Sequence, residues 1–313
     1  MEHAVEQLFV QLNERGYQGR VVPVHHLRDL QEEIEGRHEQ GLLNDEFYQE
    51  WLSGFEFKPL EDLTATSLIV VAVPSPQIRV DFAWNGNTYS AIIPPTYVGY
   101  DDTRRQIQEF LAGILAPVGF HTASARIPLK LLAVRSGLGQ YGRNNICYVP
   151  GIGSFFQLVA VYSDLPCMQD PWQEAHMMER CQDCHACRNH CPSGAIPSDR
   201  FLLRAERCLV FHNERSGRYP FPAWIDPAWH NCLIGCMLCQ RACPEDRDVL
   251  GWVEKREEFT QDETRLLLEG AELDQLPVAL VDKLKRLDLA SSVDVLSRNL
   301  GALFAQNARA KNE

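Results

Sequence analysis

Cys181-Gln182-Asp183-Cys184-His185-Ala186-Cys187-Arg188-Asn189-His190-Cys191-Pro192 is the stretch on which the reading of this chain turns, and Cys236-Met237-Leu238-Cys239-Gln240-Arg241-Ala242-Cys243-Pro244 is its partial repeat. The first run has the spacing C-x2-C-x2-C-x3-C-P. In that pattern three close thiolates converge on three irons of one [4Fe–4S] cubane, and the fourth serves a second cubane. The physical reason is reach: a tight loop can wrap one cube, and the longer step to Cys191 turns the chain away. Zinc ribbons use paired C-x2-C knuckles rather than a triple run ending in Cys-Pro, so zinc is set aside.

The second run supplies the last three positions of the pattern, but Leu233 stands where the first cysteine belongs. Cys232 misses by one residue, and Cys208 lies well upstream. Two cubanes take eight thiolates and nine cysteines lie from Cys181 to Cys243, so one is surplus. Spacing alone does not choose between Cys208 and Cys232.

The rest of the composition agrees with a metal role for these thiols. The chain has 313 residues, eleven of them cysteine, with 45% hydrophobic and 23% charged residues, as in an ordinary globular protein. An odd cysteine number crowded into one segment fits poorly with a secreted disulfide scaffold. The N-terminus, Met1-Glu2-His3-Ala4-Val5-Glu6, has neither a basic nor an apolar signal region, so a cytoplasmic location is expected. No apolar run reaches the ~20 residues of a membrane helix, so no membrane partner is expected. A formal charge of −12 counts against a large nucleic-acid footprint.

Outward from the cassette, Ser67–Val73 is a continuous apolar, β-branched run ended by Pro74, the mark of a buried strand. Thr88–Ile93 reads as a second strand. Val5, Leu8, Phe9 and Leu12 recur at helical spacing, and residues 26–53 read as further helix with Asn44 or Asp45 as a cap before Phe47. Ile107, Phe110, Leu111, Ile114 and Leu115 share one helical face behind Asp101 and Asp102. A helix over Ile127–Arg135 leads into a glycine turn, and strands Ile146–Val149 and Phe155–Tyr162 flank Pro150-Gly151-Ile152-Gly153. Asp199–Arg207 reads as an exposed helix face, and the tail from Trp252 reads as helical with Leu280, Leu284 and Leu287 inside. The expected organisation is α+β or α/β: a cofactor-binding domain over 1–172, a ferredoxin-like double-cluster domain over 173–250, and a helical tail over 251–313.

The cassette Cys181–Ile196, Arg207-Cys208 and Gly235-Cys236-Met237-Leu238-Cys239-Gln240 to Cys243-Pro244 resembles the epoxyqueuosine reductases and the related corrinoid-dependent reductive dehalogenases. The resemblance takes in Ile127-Pro128-Leu129, Ser136-Gly137-Leu138-Gly139, Gly142-Arg143-Asn144, Gly153-Ser154-Phe155-Phe156, Ser163-Asp164-Leu165-Pro166 and Ser297-Arg298-Asn299-Leu300. It implies that Cys181, Cys184, Cys187 and Cys243 hold cluster 1, and that Cys191, Cys208, Cys236 and Cys239 hold cluster 2, with Cys232 surplus. It further implies a cobalamin in the α/β domain, approached by Gly137, Gly139 and Gly153 and lined by Arg143, Asn144 and Ser154. Two departures stand out. The family's Asp-Ser-Ala-Pro motif, with its proposed acid, reads Ala123-Ser124-Ala125-Arg126 here, and the tail over 252–313 has nine Lys/Arg against twelve Asp/Glu. Both count against a tRNA substrate. The twin-arginine signal of exported dehalogenases is absent.

Gly137-Leu138-Gly139-Gln140-Tyr141-Gly142 spells the dinucleotide fingerprint, but that motif needs a strand before it and a helix after it, and here the order is reversed. Tyr100 is the first candidate for a proton donor, since it opens the helix resembling the one that follows the dehalogenases' catalytic tyrosine; Tyr97 and Tyr141 are alternatives. Ser124 and Arg126 could orient a substrate. His25-His26 and His121 could face a cofactor, with hydrogen-bonded histidines as the plainer reading; His185 and His190 read as polar loop residues. Cys147 and Cys167 read as small buried side chains. The expectation is a cobalamin-dependent iron–sulfur reductase that takes electrons from an external ferredoxin- or flavodoxin-type donor and reduces a small organic molecule. The alternatives are a ferredoxin-like carrier and an activase that reduces another protein's corrinoid.

Overall fold

The computed structural model describes residues 2–59 and 64–310. The chain divides into two compact units of non-contiguous segments, one of residues 1–74, 101–185 and 197–203, the other of residues 75–100, 186–196 and 204–313. The division expected at residues 172 and 250 follows motifs; the units follow contacts. The described strands are β1 (Gln18–Pro23), β2 (Ser67–Pro74), β3 (Gln77–Trp84), β4 (Asn87–Ile93), β5 (Thr122–Ser124), β6 (Gln140–Tyr141), β7 (Cys147–Tyr148), β8 (Phe156–Ser163) and β9 (Val253–Phe259).

In the first unit the sheet runs β1-β2-β8-β5 and every pairing is antiparallel. The unbroken apolar run of β2 follows from cover on both faces. Leu68, Val70 and Ala72 pack with Leu27, Leu30, Leu131 and Leu132. Ile69 and Val71 pack with Leu8, Leu12, Ile107 and Leu111 from helices Glu2–Glu14 and Tyr100–Leu115. A strand buried on both faces loses the polar alternation of a half-solvated one.

Several expectations are corrected here. The helix expected over residues 26–53 is broken after Glu39, and Asn44 then accepts from the Phe47 N–H at 3.0 Å, the expected cap, to open a second helical stretch over Asp45–Phe47 and Tyr48–Leu52. β7 and β8 exist, but they are not hairpin partners: β7 pairs with β6, while β8 lies between β2 and β5. Of the helix expected over 199–207 only a single 3-10 turn, Ala205–Arg207, forms. The Asn145 side chain takes the Leu203 N–H at 2.6 Å and donates to the Phe201 carbonyl at 3.0 Å, so these backbone groups are satisfied outside a helix.

The second unit holds a sheet of order β4-β3-β9. β3 and β4 form a hairpin closed by Asn85-Gly86, both at positive φ. The tail, expected to be helical from Trp252, begins instead with β9, which runs parallel to β3. Its charged sequence suits a strand with its side chains mostly in water. Helices Gln261–Glu269, Val278–Arg286 and Val293–Ala310 follow. Leu280, Leu284 and Leu287 are fully buried, as expected, in a core with Phe82, Phe259, Leu267, Leu296 and Leu300. Among the described residues no helix is long and apolar enough to cross a membrane.

Candidate iron–sulfur centre

In the second unit, three of the expected cluster 2 cysteines interact electrostatically with one another. Burial, then the neighbouring thiol of Cys236 and more weakly that of Cys191, push the Cys208 thiol up to about 12. Burial also raises the Cys236 thiol, with Cys191 adding to the shift. Neighbouring thiolates thus disfavour one another's charge at Cys208 and Cys236, the arrangement that a bound cation would relieve. Cys232 is a different case. It is 1% exposed, has Cys236 but not Cys191 among the charges acting on it, and donates to Asn231 Oδ1 at 3.3 Å. The same Asn231 donates to Cys236 Sγ at 3.2 Å and accepts the Met237 N–H at 2.9 Å. Cys232 therefore serves the residue that positions Cys236.

The loop carrying Cys236 is held by side chains far away in sequence. Asn213 donates to the Gly235 carbonyl at 2.6 Å and accepts the Gly235 N–H at 2.9 Å, a backbone-like double bond from a fully buried amide. Asn299 donates to the Asn213 and Leu233 carbonyls at 2.9 and 3.0 Å. Arg298 donates to the carbonyls of Asn213, Arg215 and Tyr219 at 3.1, 3.0 and 2.7 Å. The motif Ser297-Arg298-Asn299-Leu300 thus acts as a carbonyl clamp, a role its sequence does not announce.

Tyr97 lies close to these elements. Its hydroxyl donates to the Glu214 carboxylate, and a Cβ on Gly235, which is at φ +72°, would stand 2.7 Å from that hydroxyl. Burial, followed by the charge and hydrogen bond of Glu214 and by Cys232 and Cys208, raises the phenol well above its ordinary value. Tyr100 offers its backbone N–H to Asp288 Oδ2 at 3.1 Å, beside the Gly99 N–H at 2.7 Å. His190 pairs with the Ala186 carbonyl at 2.9 Å, consistent with a polar loop residue.

Of the expected cluster 1 ligands, Cys181 and Cys184 fall in the first unit and Cys187 and Cys243 in the second. Within the first unit Arg143 binds the loop of the first two directly. Its guanidinium donates to the Cys184 and Gln182 carbonyls, each at 3.0 Å, and to that of Cys181. Asn144, 3% exposed, donates to the Tyr148 hydroxyl at 2.9 Å and accepts the Ile146 N–H at 3.2 Å.

The glycine turn is filled by the chain itself. A Cβ on Gly139 would lie 2.7 Å from both Cys147 Sγ and the Tyr148 carbonyl, and one on Gly142 would lie 2.6 Å from Asn144 Oδ1 and from the Tyr148 ring. Helix Leu129–Arg135 leads into the turn and β6 lies within it, the order expected for a turn that does not bind a dinucleotide. Gly153 accepts the Val149 N–H at 2.9 Å, and Ser154 is 2% exposed. Ser124 lies on β5, and the Arg126 carbonyl accepts the Glu56 N–H at 2.9 Å. Burial pushes the Cys147 thiol up to about 12 and also raises Tyr141 and, with help from Asp170, Cys167. Cys147 is buried as expected; Cys167 is only half-buried and donates to the Gln169 carbonyl at 2.8 Å.

Comparison with known proteins places these observations in a family context. Residues 180–246 match the family described as a 4Fe-4S double cluster binding domain, as the cassette implies. The chain is 32% identical over 146 residues to the epoxyqueuosine reductase of Pseudomonas aeruginosa, a match spanning 46% of this chain and 39% of that protein. The epoxyqueuosine reductase of Streptococcus thermophilus superposes with a TM-score of 0.64 at 19% identity, over 95% of this chain and 79% of the other. An epoxyqueuosine reductase solved with an epoxyqueuosine-modified tRNA-Tyr stem loop superposes with a TM-score of 0.67 at 19% identity, over 97% of this chain and 82% of the other. The mixed α and β fold is therefore that of epoxyqueuosine reductases. The expectation against a tRNA substrate is corrected: the curated relatives that match are named epoxyqueuosine reductases, and an epoxyqueuosine reductase of this fold was solved with a tRNA stem loop.

Proposed function

We propose that this chain is an iron–sulfur reductase that relays single electrons through two [4Fe–4S] clusters to a buried acceptor. The observation that carries the proposal is the double-cluster match over 180–246, supported by the cysteine spacing and by the neighbouring Cys191, Cys208 and Cys236 thiols acting on one another. Cluster 2 is assigned Cys191, Cys208, Cys236 and Cys239. Cluster 1 is assigned Cys181, Cys184, Cys187 and Cys243 from the resemblance, with Arg143 fixing the loop of the first two. An external low-potential carrier of the ferredoxin or flavodoxin type reduces cluster 1.

The resemblance extends the reading to cobalamin as the acceptor, whose cobalt would supply the reducing chemistry. Of the residues that the resemblance names, Gly139, Arg143 and Asn144 are already engaged within the chain and do not fit a cradle made by the glycine turn. That part of the proposal rests on the resemblance, and no step is built on it. The same engagement favours a second reading, a carrier or activase that passes electrons to a partner. The substrate in the first reading is epoxyqueuosine in tRNA or a small organic molecule.

The test starts from anaerobic cluster reconstitution, with about eight irons expected per chain. A chain that saturates at about four irons, or that takes zinc in preference, overturns the two-cluster proposal. Cobalamin is then added and the mixture separated by size. Co-elution supports the corrin reading, and elution of the corrin alone removes it in favour of the carrier. Turnover with a reduced donor and an epoxyqueuosine-containing anticodon stem loop, followed by nucleoside analysis, separates the two substrates.

A further inference from the structure

In the first unit the His25-His26 pair, in the turn after β1, meets Asp170, 144 residues on from His26, in an arrangement that cluster chemistry does not use. His26 is 6% exposed. Its Nε2 lies 3.0 and 2.9 Å from the two oxygens of Asp170, so the carboxylate presents both to the same nitrogen. Its Nδ1 lies 2.5 Å from Asp29 Oδ2. Trp172 stacks on the imidazole at 4.1 Å with an interplanar angle of 9°, and its backbone N–H donates to Asp170 Oδ1 at 3.2 Å. The His25 ring stands 4.2 Å from that of His26. The ligating atoms of His25, His26 and Asp170 all lie within 4.8 Å of one another.

We propose that His25, His26 and Asp170 form a divalent-metal site of the zinc class, with Asp29 orienting His26 from behind. A histidine bound to zinc through one nitrogen ordinarily donates the other N–H to a carboxylate, which fixes the tautomer and raises its basicity; His26 between Asp29 and Asp170 has that arrangement. Two donors at about 2.0–2.1 Å from a tetrahedral ion stand about 3.3 Å apart. Replacing the Nε2 proton by zinc therefore asks His26 and Asp170 to separate by only a few tenths of an ångström. The widest ligand spacing involves His25, which is exposed. Two imidazoles and a carboxylate leave a coordination position for water. Bound metal would tie the segment around Asp170 to the turn after β1.

The competing account is a hydrogen-bonded Asp29–His26–Asp170 chain with no metal. Cluster-loaded protein, stripped with chelator and then given zinc chloride, is analysed by elemental content and zinc X-ray absorption. The proposal expects about one zinc per chain with a nitrogen and oxygen shell near 2.0 Å. His25→Ala and Asp170→Asn should each weaken binding at least tenfold while iron content is unchanged, and Asp29→Asn should weaken it about 10–100-fold. His25 and Asp170 are exposed, and iron content together with circular dichroism reports folding. Absence of zinc uptake at micromolar concentration, a sulfur shell near 2.3 Å, or uptake unaltered in the folded His25→Ala and Asp170→Asn variants overturns it.

Discussion

Among single residues, the choice between Cys208 and Cys232 has a direct consequence. Cys208→Ser should lower iron by about four per chain and leave the spectrum of one cluster, whereas Cys232→Ser should keep both clusters; colorimetric iron and electron paramagnetic resonance distinguish these results. Arg143→Ala removes charge-assisted hydrogen bonds, each worth about 1.5–3 kcal/mol, from the carbonyls around Cys181 and Cys184. The expected outcome is faster bleaching of one cluster in air, followed by absorbance at about 400 nm. The cysteine spacing made the clusters legible in the sequence, because a metal core dictates distances that a short loop can encode. The partner of a buried carbonyl carries no such code. Asn213 against Gly235, and Arg298 against four separate carbonyls, depend on loops brought together by folding.

For whole elements, the tail shows how a periodic reading fails. Val253–Phe259 is charged at nearly every position, and its strand state comes from pairing with β3, which no local pattern reveals. Phe259 is its buried end, stacked on Phe82 at 4.6 Å. Phe259→Ala should cost about 3–5 kcal/mol, while Lys255→Ala, which removes an exposed cation paired with Asp81 at 2.9 Å, should cost far less. Denaturant midpoints of the two variants check the contrast. By comparison β2 was legible, because burial on both faces leaves a run of apolar residues that water-facing strands do not have. The glycine turn was legible as a turn, but the occupants of its surface were not. Gly139→Ala should cost about 1–3 kcal/mol by overpacking against Cys147 and Tyr148, again read from the denaturant midpoint.

For the molecule as a whole, acid sensitivity follows from His230. It is 1% exposed and neither ring nitrogen has a hydrogen-bond partner. Burial, reinforced by the charge of Arg298, lowers its pKa to about 4 from an ordinary 6.5. The unfolded chain therefore takes up a proton at a pH where the folded chain does not. Stability is undiminished by this group above pH 6.5 and falls as pH drops toward 4, by on the order of 3 kcal/mol in total. His230→Phe, beside Phe221 at 4.4 Å, should flatten that part of the pH–stability curve, measured by urea unfolding at stepped pH. The parallel pairing of β3 with β9 also has a temporal meaning. A ribosome adds the whole cysteine cassette before it reaches Val253, the residue that pairs with Gln77. The first cysteine run, Cys181–Cys191, leaves the ribosome while the β3-β4 pair still lacks β9. Iron delivered during translation would meet those thiols ahead of the scaffold that later fixes them.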